Sequence, residues 1–310
     1  MRKGFILMML LAAGSALLAG CGGGKDQTHA EGKVSVVTTF YPLYFLAERI
    51  GGDDAQAVNL IPTGVEPHDW SPKSRDLQTV SEAELFIYNG AGLEGWVDDF
   101  LQGIGNGPKT VEASQGIELI SGNPEADEEG EVGADDRGVD PHTWVSPKSM
   151  MKMASNVHDA FVAEDPAHQA DYDANYSELQ SKLQELDRQF ADGLANVSRR
   201  DIVVSHQAFG YLCRDYGLKQ VPIMGLSPDA EPRAQDLLNI AKFVKENGVK
   251  TIFFEELTSD QLAKTLASEA NVGTDVLNPL EGLTPAEVKA GDDYFSIMQR
   301  NLQNLQKALQ

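Results

Sequence analysis

Short apolar runs alternate with amphipathic stretches along almost the whole chain. Residues 34–39 are β-branched at five of six positions and predict a strand, and 42–50 predict a helix stopped by Gly51-Gly52. A second strand is expected over 57–61, then a loop, then a helix from Pro72; a third strand over 85–88 ends at Asn89-Gly90. Alternation of this kind argues for a parallel sheet covered by helices. After Pro147, the residues Met150, Met153, Val157 and Phe161 recur at helical spacing, a stripe that reads as core packing and not as a metal-binding feature. Asp165-Pro166 opens the longest helical signal, in which Tyr172, Tyr176, Leu179, Leu183, Leu186, Phe190 and Leu194 fall three or four apart. About 30 residues at about 1.5 Å each make a rod of about 45 Å, long enough to run the length of two domains. Beyond Arg200 the alternation resumes: strands over 202–205, 220–223 and 251–254, helices over 207–216 and 232–247, and a helix capped by Ser259 that runs to Ala270. A last short strand, Val276-Leu277, precedes Asn278-Pro279-Leu280-Glu281, and a closing helix starts near Tyr294. The simplest architecture is α/β: two small lobes with mainly parallel sheets, joined by one long rigid helix.

The ends of the chain refine this picture. Arg2 and Lys3 precede an apolar run over 5–18, and Leu18-Ala19-Gly20-Cys21 follows. A basic start, a short apolar core and small residues at the cut make a signal peptide over 1–20, too short to remain as a spanning helix. The cysteine after Ala-Gly resembles a bacterial lipobox, which makes Cys21 the lipidated first residue of an extracytoplasmic, membrane-anchored protein. Residues 21–32 read as a tether with a reach of roughly 18 Å. An N-terminal lobe is then expected over 33–164, a linker helix over 165–199 and a C-terminal lobe over 200–310. Removing Arg2 and Lys3 takes the net formal charge from −22 to −24, which argues against a nucleic-acid partner and suits a cation. With Cys21 consumed by lipid, Cys213 is left without an intramolecular disulfide partner and reads as a small buried hydrophobe. Residues 121–140 break the pattern with eight acids against one base, the composition of a solvated insertion.

Two stretches of the chain nearly repeat each other: Glu66-Pro67-His68-Asp69-Trp70-Ser71-Pro72-Lys73-Ser74 and Asp140-Pro141-His142-Thr143-Trp144-Val145-Ser146-Pro147-Lys148-Ser149. Proline stiffens each loop, and Ser-Pro is a good N-cap and first-turn pair for a following helix. Each loop thus presents one histidine from a rigid support, and a preorganised imidazole loses less entropy when it binds a metal. Of the six histidines, His29 sits in the tether, and His158 and His168 fall on solvent faces of helices. His68, His142 and His206 differ because each follows a strand or a strand-loop segment, and ligands of open α/β sheets bind outside the carboxyl ends of strands.

These segments, together with Asn89-Gly90-Ala91-Gly92-Leu93-Glu94-Gly95-Trp96, Val204-Ser205-His206-Gln207-Ala208-Phe209 and Leu277-Asn278-Pro279-Leu280-Glu281-Gly282-Leu283, resemble the zinc-uptake solute-binding lipoproteins of ABC transporters. The resemblance covers the chain from Lys33 onward, in order. It implies two α/β lobes joined by a long helix, with Zn²⁺ in the cleft between them and an ABC transporter permease as the partner. Carried over by motif, three histidine ligands fall on His68, His142 and His206. Where manganese-binding relatives have an aspartate this chain has Asn278, and its Asn-Pro-Leu-Glu form resembles the subgroup in which the glutamate supplies the oxygen, here Glu281. A water, or Glu255 or Glu256, is the alternative. Three imidazoles and a carboxylate suit tetrahedral Zn²⁺, whereas manganese favours more oxygen donors. Glu66, Asp69 and Asp140 are candidates to orient the imidazoles. A monomer is expected. A manganese or other divalent-metal protein or adhesin of the same family is the alternative function. A zinc-dependent hydrolase ranks below both, since the chain has no His-Glu-x-x-His, nucleophile elbow or phosphate loop.

Overall fold

The first apolar run forms β1 (Val34–Thr38), and it is buried on both faces because it lies inside a four-stranded sheet. The coordinates are a computed structural model that describes residues 32–121, 138–228 and 232–310. The signal segment 1–20, Cys21, nearly all of the tether, and most of the acidic insertion therefore lie outside the described residues. After β1 come α1 (Tyr41–Gly51), β2 (Ala55–Asn59), α2 (Ser74–Ser81), β3 (Leu85–Tyr88), α3 (Val97–Ile104) and β4 (Lys109–Glu112). The sheet order is β2-β1-β3-β4, all parallel, with Val34 opposite Ala55 and Thr38 opposite Asn59. Side-chain alternation splits the strands between two cores. Val34, Val36, Leu85 and Ile87 face α1 and the main core, while Val37 and Phe86 face Val80 of α2 and Phe100 of α3.

Two helices follow, α4 (Pro147–Glu164) and α5 (Gln169–Ala195), separated by a 3-10 turn at Pro166–His168. The methionine stripe on α4 is core: Met150, Met153, Val157 and Phe161 are fully buried. At 27 residues α5 is about 40 Å long. Its first half meets α1 and α4, where Asn175 Nδ2 donates to the Ile50 carbonyl and Gln180 Nε2 to that of Met151. Toward its C-terminal end it meets the second half of the molecule, where Phe190 packs on Tyr216, whose hydroxyl donates to Asp187.

The second half repeats the first sheet's plan. Strands β5 (Asp201–Val204), β6 (Lys219–Pro222), β7 (Thr251–Phe254) and β8 (Gly273–Val276) are ordered β6-β5-β7-β8, all parallel. They are interleaved with α6 (Gly210–Tyr216), α7 (Ala234–Glu246) and α8 (Gln261–Ala270), and α9 (Pro285–Ala290) and α10 (Tyr294–Leu309) close the chain. Val203 and Ile252 pack on α7 and α8, whereas Ile202, Val204 and Phe253 belong to the same core as the first sheet, α4, α5 and α10. The two sheets thus share one hydrophobic core through the helices between them.

Several expectations shift. Elements α3, β4 and α9 were not anticipated: β4 is an edge strand with only Val111 buried, and α9 has six residues. The first Ser-Pro pair does not open a helix; α2 begins at Ser74, where the Asp76 carboxylate accepts from the Lys73 N–H at 2.7 Å. The second pair does: Ser146 Oγ accepts from the Lys148 N–H at 3.2 Å and Pro147 takes the first helical position.

Candidate metal centre

Both sheets reverse their strand order between two central strands, β1 and β3 in one and β5 and β7 in the other, and such a reversal leaves a crevice at the carboxyl ends of the strands. In the second sheet His206 lies just beyond β5 and Glu255 directly follows β7. Glu255 Oε1 accepts from the His206 backbone N–H at 3.2 Å and sits 2.7 Å from its Nδ1. In the first half, His142 opens a 3-10 turn at Thr143–Val145, and Asp140 Oδ1 holds it in the same way, 3.0 Å from the backbone nitrogen and 2.9 Å from Nδ1. Carboxylates at Nδ1 fix the tautomer: each ring keeps its proton on Nδ1 and turns the Nε2 lone pair inward. Gly210 makes room for this arrangement, since a Cβ there would collide with Asp140 Oδ2.

The inward-facing atoms converge. His142 Nε2 is 3.1 Å from His68 Nε2 and 3.2 Å from His206 Nε2, and Glu281 Oε1 lies 3.4, 3.3 and 3.3 Å from the Nε2 atoms of His68, His142 and His206. The donor atoms of all four residues lie within 4.8 Å of one another. A regular tetrahedron with edges of this length has its centre about 2 Å from each corner, the length of a Zn–N or Zn–O bond. Both Glu281 oxygens are buried without a hydrogen bond of good geometry. Two bare imidazole lone pairs and a carboxylate facing one point in a dry site repel one another unless a cation or protons fill the space between them.

Without a cation, the electrostatics favour protons on the buried imidazoles. Burial pulls His142 down, but Asp140 and Glu281 outweigh it and its value rises; burial likewise opposes His206, yet Glu255 and Glu281 hold it well above the ordinary 6.5. Burial pushes Glu281 up, but the three imidazoles, His206 foremost, keep it well below the usual carboxylate range. Glu66 moves the other way, raised to about 8 by burial and by the Glu281 charge. Burial and the Glu281 charge thus favour its neutral form, while the imidazoles favour the ionised form of Glu281.

The four sequence-derived candidates thus meet at one point. The two carboxylates considered as alternatives for the fourth position lie elsewhere: Glu255 is behind His206, and Glu256 accepts from Asn278 Nδ2 at 2.8 Å. Of the three acids proposed to orient imidazoles, Asp140 does so. Glu66 lies beside Glu281 and accepts from the backbone N–H groups of His68 and Asp69, so it braces the His68 loop and not the ring, and Asp69 contributes its backbone N–H to that carboxylate. Asn278 is not at the centre. Its amide also donates to Glu287, and its Oδ1 accepts from the Leu280 N–H at 2.7 Å, holding Leu280 at a φ of 60° so that the chain turns toward Glu281. Sequence reasoning missed the supports around His142. Asn89 Nδ2 donates to the Pro141 carbonyl and Asn89 Oδ1 accepts from Thr143, while buried Glu94 fastens Thr39 and the Asn89 and Gly90 N–H groups. The available signal was the Asn-Gly after β3, at the crevice of the first sheet.

Comparison with known proteins agrees with this geometry. The family model described as ZnuA, zinc-uptake complex component A, periplasmic, matches residues 36–308. The chain belongs to this family. The zinc-binding lipoprotein AdcA of Streptococcus pneumoniae (strain R6) is 40% identical over 307 residues, 97% of this chain and 60% of AdcA, so the chain spans about 60% of that relative's length. The high-affinity zinc uptake system protein ZnuA of Bacillus subtilis (strain 168) is 40% identical over 308 residues, 97% of each chain. Among solved structures, the Zn(II)-bound ZnuA-like domain of Streptococcus pneumoniae AdcA superposes with a TM-score of 0.77 at 39% identity, covering 90% of this chain and 99% of that domain. The laminin-binding protein Lmb of Streptococcus agalactiae, described as a bifunctional adhesin and metal transporter, gives 0.77 at 29% identity, covering 89% of this chain and all of Lmb. Two α/β lobes with parallel sheets are therefore the family architecture.

Proposed function

We propose that this protein is an extracytoplasmic zinc-binding protein, anchored through lipid on Cys21, that captures Zn²⁺ and delivers it to an ABC transporter permease. The observation that carries the proposal is the convergence of three imidazole nitrogens and one carboxylate oxygen at tetrahedral spacing, with two of the imidazoles fixed from behind by carboxylates. His68, His142, His206 and Glu281 are the ligands. His68 and His142 come from the N-terminal lobe, 33–164, and His206 and Glu281 from the C-terminal lobe, 200–310, so the ion ties both lobes across the linker, 165–199. A permease can then distinguish the loaded protein, because a ligand favours the state that it binds better. The fourth ligand also separates transport from hydrolysis. A catalytic zinc site leaves a coordination position open for water, and Glu281 fills it here. Manganese fits less well, for the set has one oxygen donor against three nitrogens.

The test is metal analysis of the full chain purified without added metal. One equivalent of zinc is expected in the wild type, and near-complete loss in His142→Ala and His206→Ala with the circular dichroism spectrum unchanged. Retention of a full equivalent in either variant would sink the assignment.

A further inference from the structure

The two Pro-His loops share a tryptophan two residues after the histidine, but the two indoles are used differently. Trp70 is half-buried and packs edge-on against Trp96, with ring centroids 5.4 Å apart, inside the first half of the molecule. Trp144 is fully buried, 5.3 Å from the His142 ring, and its Nε1–H donates to the Pro279 carbonyl at 2.7 Å. Pro279 precedes Glu281 by two residues. A buried indole N–H needs an acceptor, and it finds this one on the loop that carries the fourth ligand of the other half. Both partners are fixed in turn. The Trp144 carbonyl accepts from the Tyr294 hydroxyl at 2.9 Å, and its ring meets Phe40 edge-on at 4.6 Å. On the far side, Asn301 clamps Asn278, accepting from its N–H at 2.9 Å and donating to its carbonyl at 2.7 Å, and Asn278 Oδ1 ties back the Leu280 N–H.

We propose that Trp144 is a positioning residue for the metal: its indole N–H holds the Pro279 carbonyl and so keeps the Glu281 carboxylate in register with His142. One motif then delivers two groups across the cleft, an imidazole to the ion and a donor to the loop of the opposing ligand. The spacing between His142 Nε2 and Glu281 Oε1, 3.3 Å, depends on that hydrogen bond. The inference rests on Glu281 being a zinc ligand, as proposed above. It goes further in tying the placement of Glu281 to a side chain that does not touch the ion.

The experiment is a double-mutant cycle on the full chain, with Trp144→Phe and Glu281→Ala singly and together. Zinc dissociation constants come from chelator competition, and the visible absorption of the Co²⁺-loaded forms reports coordination. Phenylalanine keeps a ring in the core and removes the donor. Trp144→Phe is expected to weaken zinc binding about tenfold in the wild-type background and less than twofold on top of Glu281→Ala, because a residue acting through Glu281 has nothing left to position. Its cobalt spectrum should move toward that of Glu281→Ala. An unchanged constant and spectrum in Trp144→Phe, or an equal loss in both backgrounds, overturns the inference while leaving the metal site standing. Should Glu281→Ala bind zinc as tightly as the wild type, the ligand assignment fails and the inference with it. If Trp144→Phe does not fold, Tyr294→Phe, which removes only the hydroxyl bracing the Trp144 carbonyl, takes its place. A smaller loss, again present only when Glu281 is intact, supports the inference, and an equal loss in both backgrounds, or none, overturns it.

Discussion

At the scale of single residues, the three histidines are not equivalent. His142 and His206 are fully buried and each is held at ring and backbone by a carboxylate, whereas the side chain of His68 is 12% exposed. Removing an orienting carboxylate frees a ring to rotate and typically costs 10- to 100-fold in metal affinity. Glu255→Ala is expected to weaken zinc binding by about that factor, measured by chelator competition. An unchanged constant would show that Glu255 does not orient the ligand. His206 was legible in the sequence because it follows a strand end, and His68 and His142 because proline-stiffened loops present them. The role of Glu255 was not. Two acids, Glu255 and Glu256, follow β7, and their order gives no sign of which one turns inward; the structure buries Glu255 and exposes Glu256.

At the scale of elements, the turn from β8 to α9 decides where Glu281 points. Asn278 lies three residues before Glu281 and is an internal clamp whose amide donates to Glu256 and Glu287. Asn278→Asp replaces two donated hydrogen bonds with a third carboxylate beside two others. It is expected to destabilise the fold by about 2 kcal/mol near neutral pH, seen as a lower denaturant midpoint. Zinc stoichiometry should stay at one; a gain in affinity without loss of stability would show that residue 278 can serve as a ligand. The same scale explains what the sequence hid. Strongly apolar strands such as β1 and β3 were plain, whereas β4 shows a single buried position and α9 is one and a half turns long, so neither leaves a periodic signal. The second Ser-Pro pair was a helix start and the first was not: that helix begins two residues beyond Pro72, at Ser74, where Asp76 in its first turn accepts from the Lys73 N–H.

Across the whole molecule, the long helix and two parallel sheets were readable because α5 carries one continuous apolar stripe, with Tyr172, Leu179, Leu183, Leu186, Phe190 and Leu194 all buried. That both sheets share one core was not readable, since it depends on which faces α4, α5 and α10 present to each other. This shared core opposes wide hinge opening between the two sheets. Protons compete for the same space as the metal. His142 and His206 are raised above 6.5 in the metal-free protein, so zinc affinity falls as pH drops through their folded values, beginning above 6.5, while Glu281 stays ionised because it is shifted down. The sign for stability is opposite in the metal-free form. There the two raised imidazoles contribute fully below 6.5 and that contribution is lost as pH rises through their folded values. The rise in melting temperature produced by zinc should therefore grow from pH 6 to pH 8, as followed by calorimetry with and without the metal. A pH-independent increment would contradict the assignment of those protons.

The central claim is that three imidazoles and one carboxylate from both halves of the chain surround one zinc ion. Zinc K-edge X-ray absorption on the loaded full chain measures that shell directly. Four nitrogen or oxygen neighbours at about 2.0 Å, with the outer-shell scattering of three imidazole rings and no sulfur, are expected. A shell with fewer than three imidazoles, or six neighbours at longer distance, would contradict it.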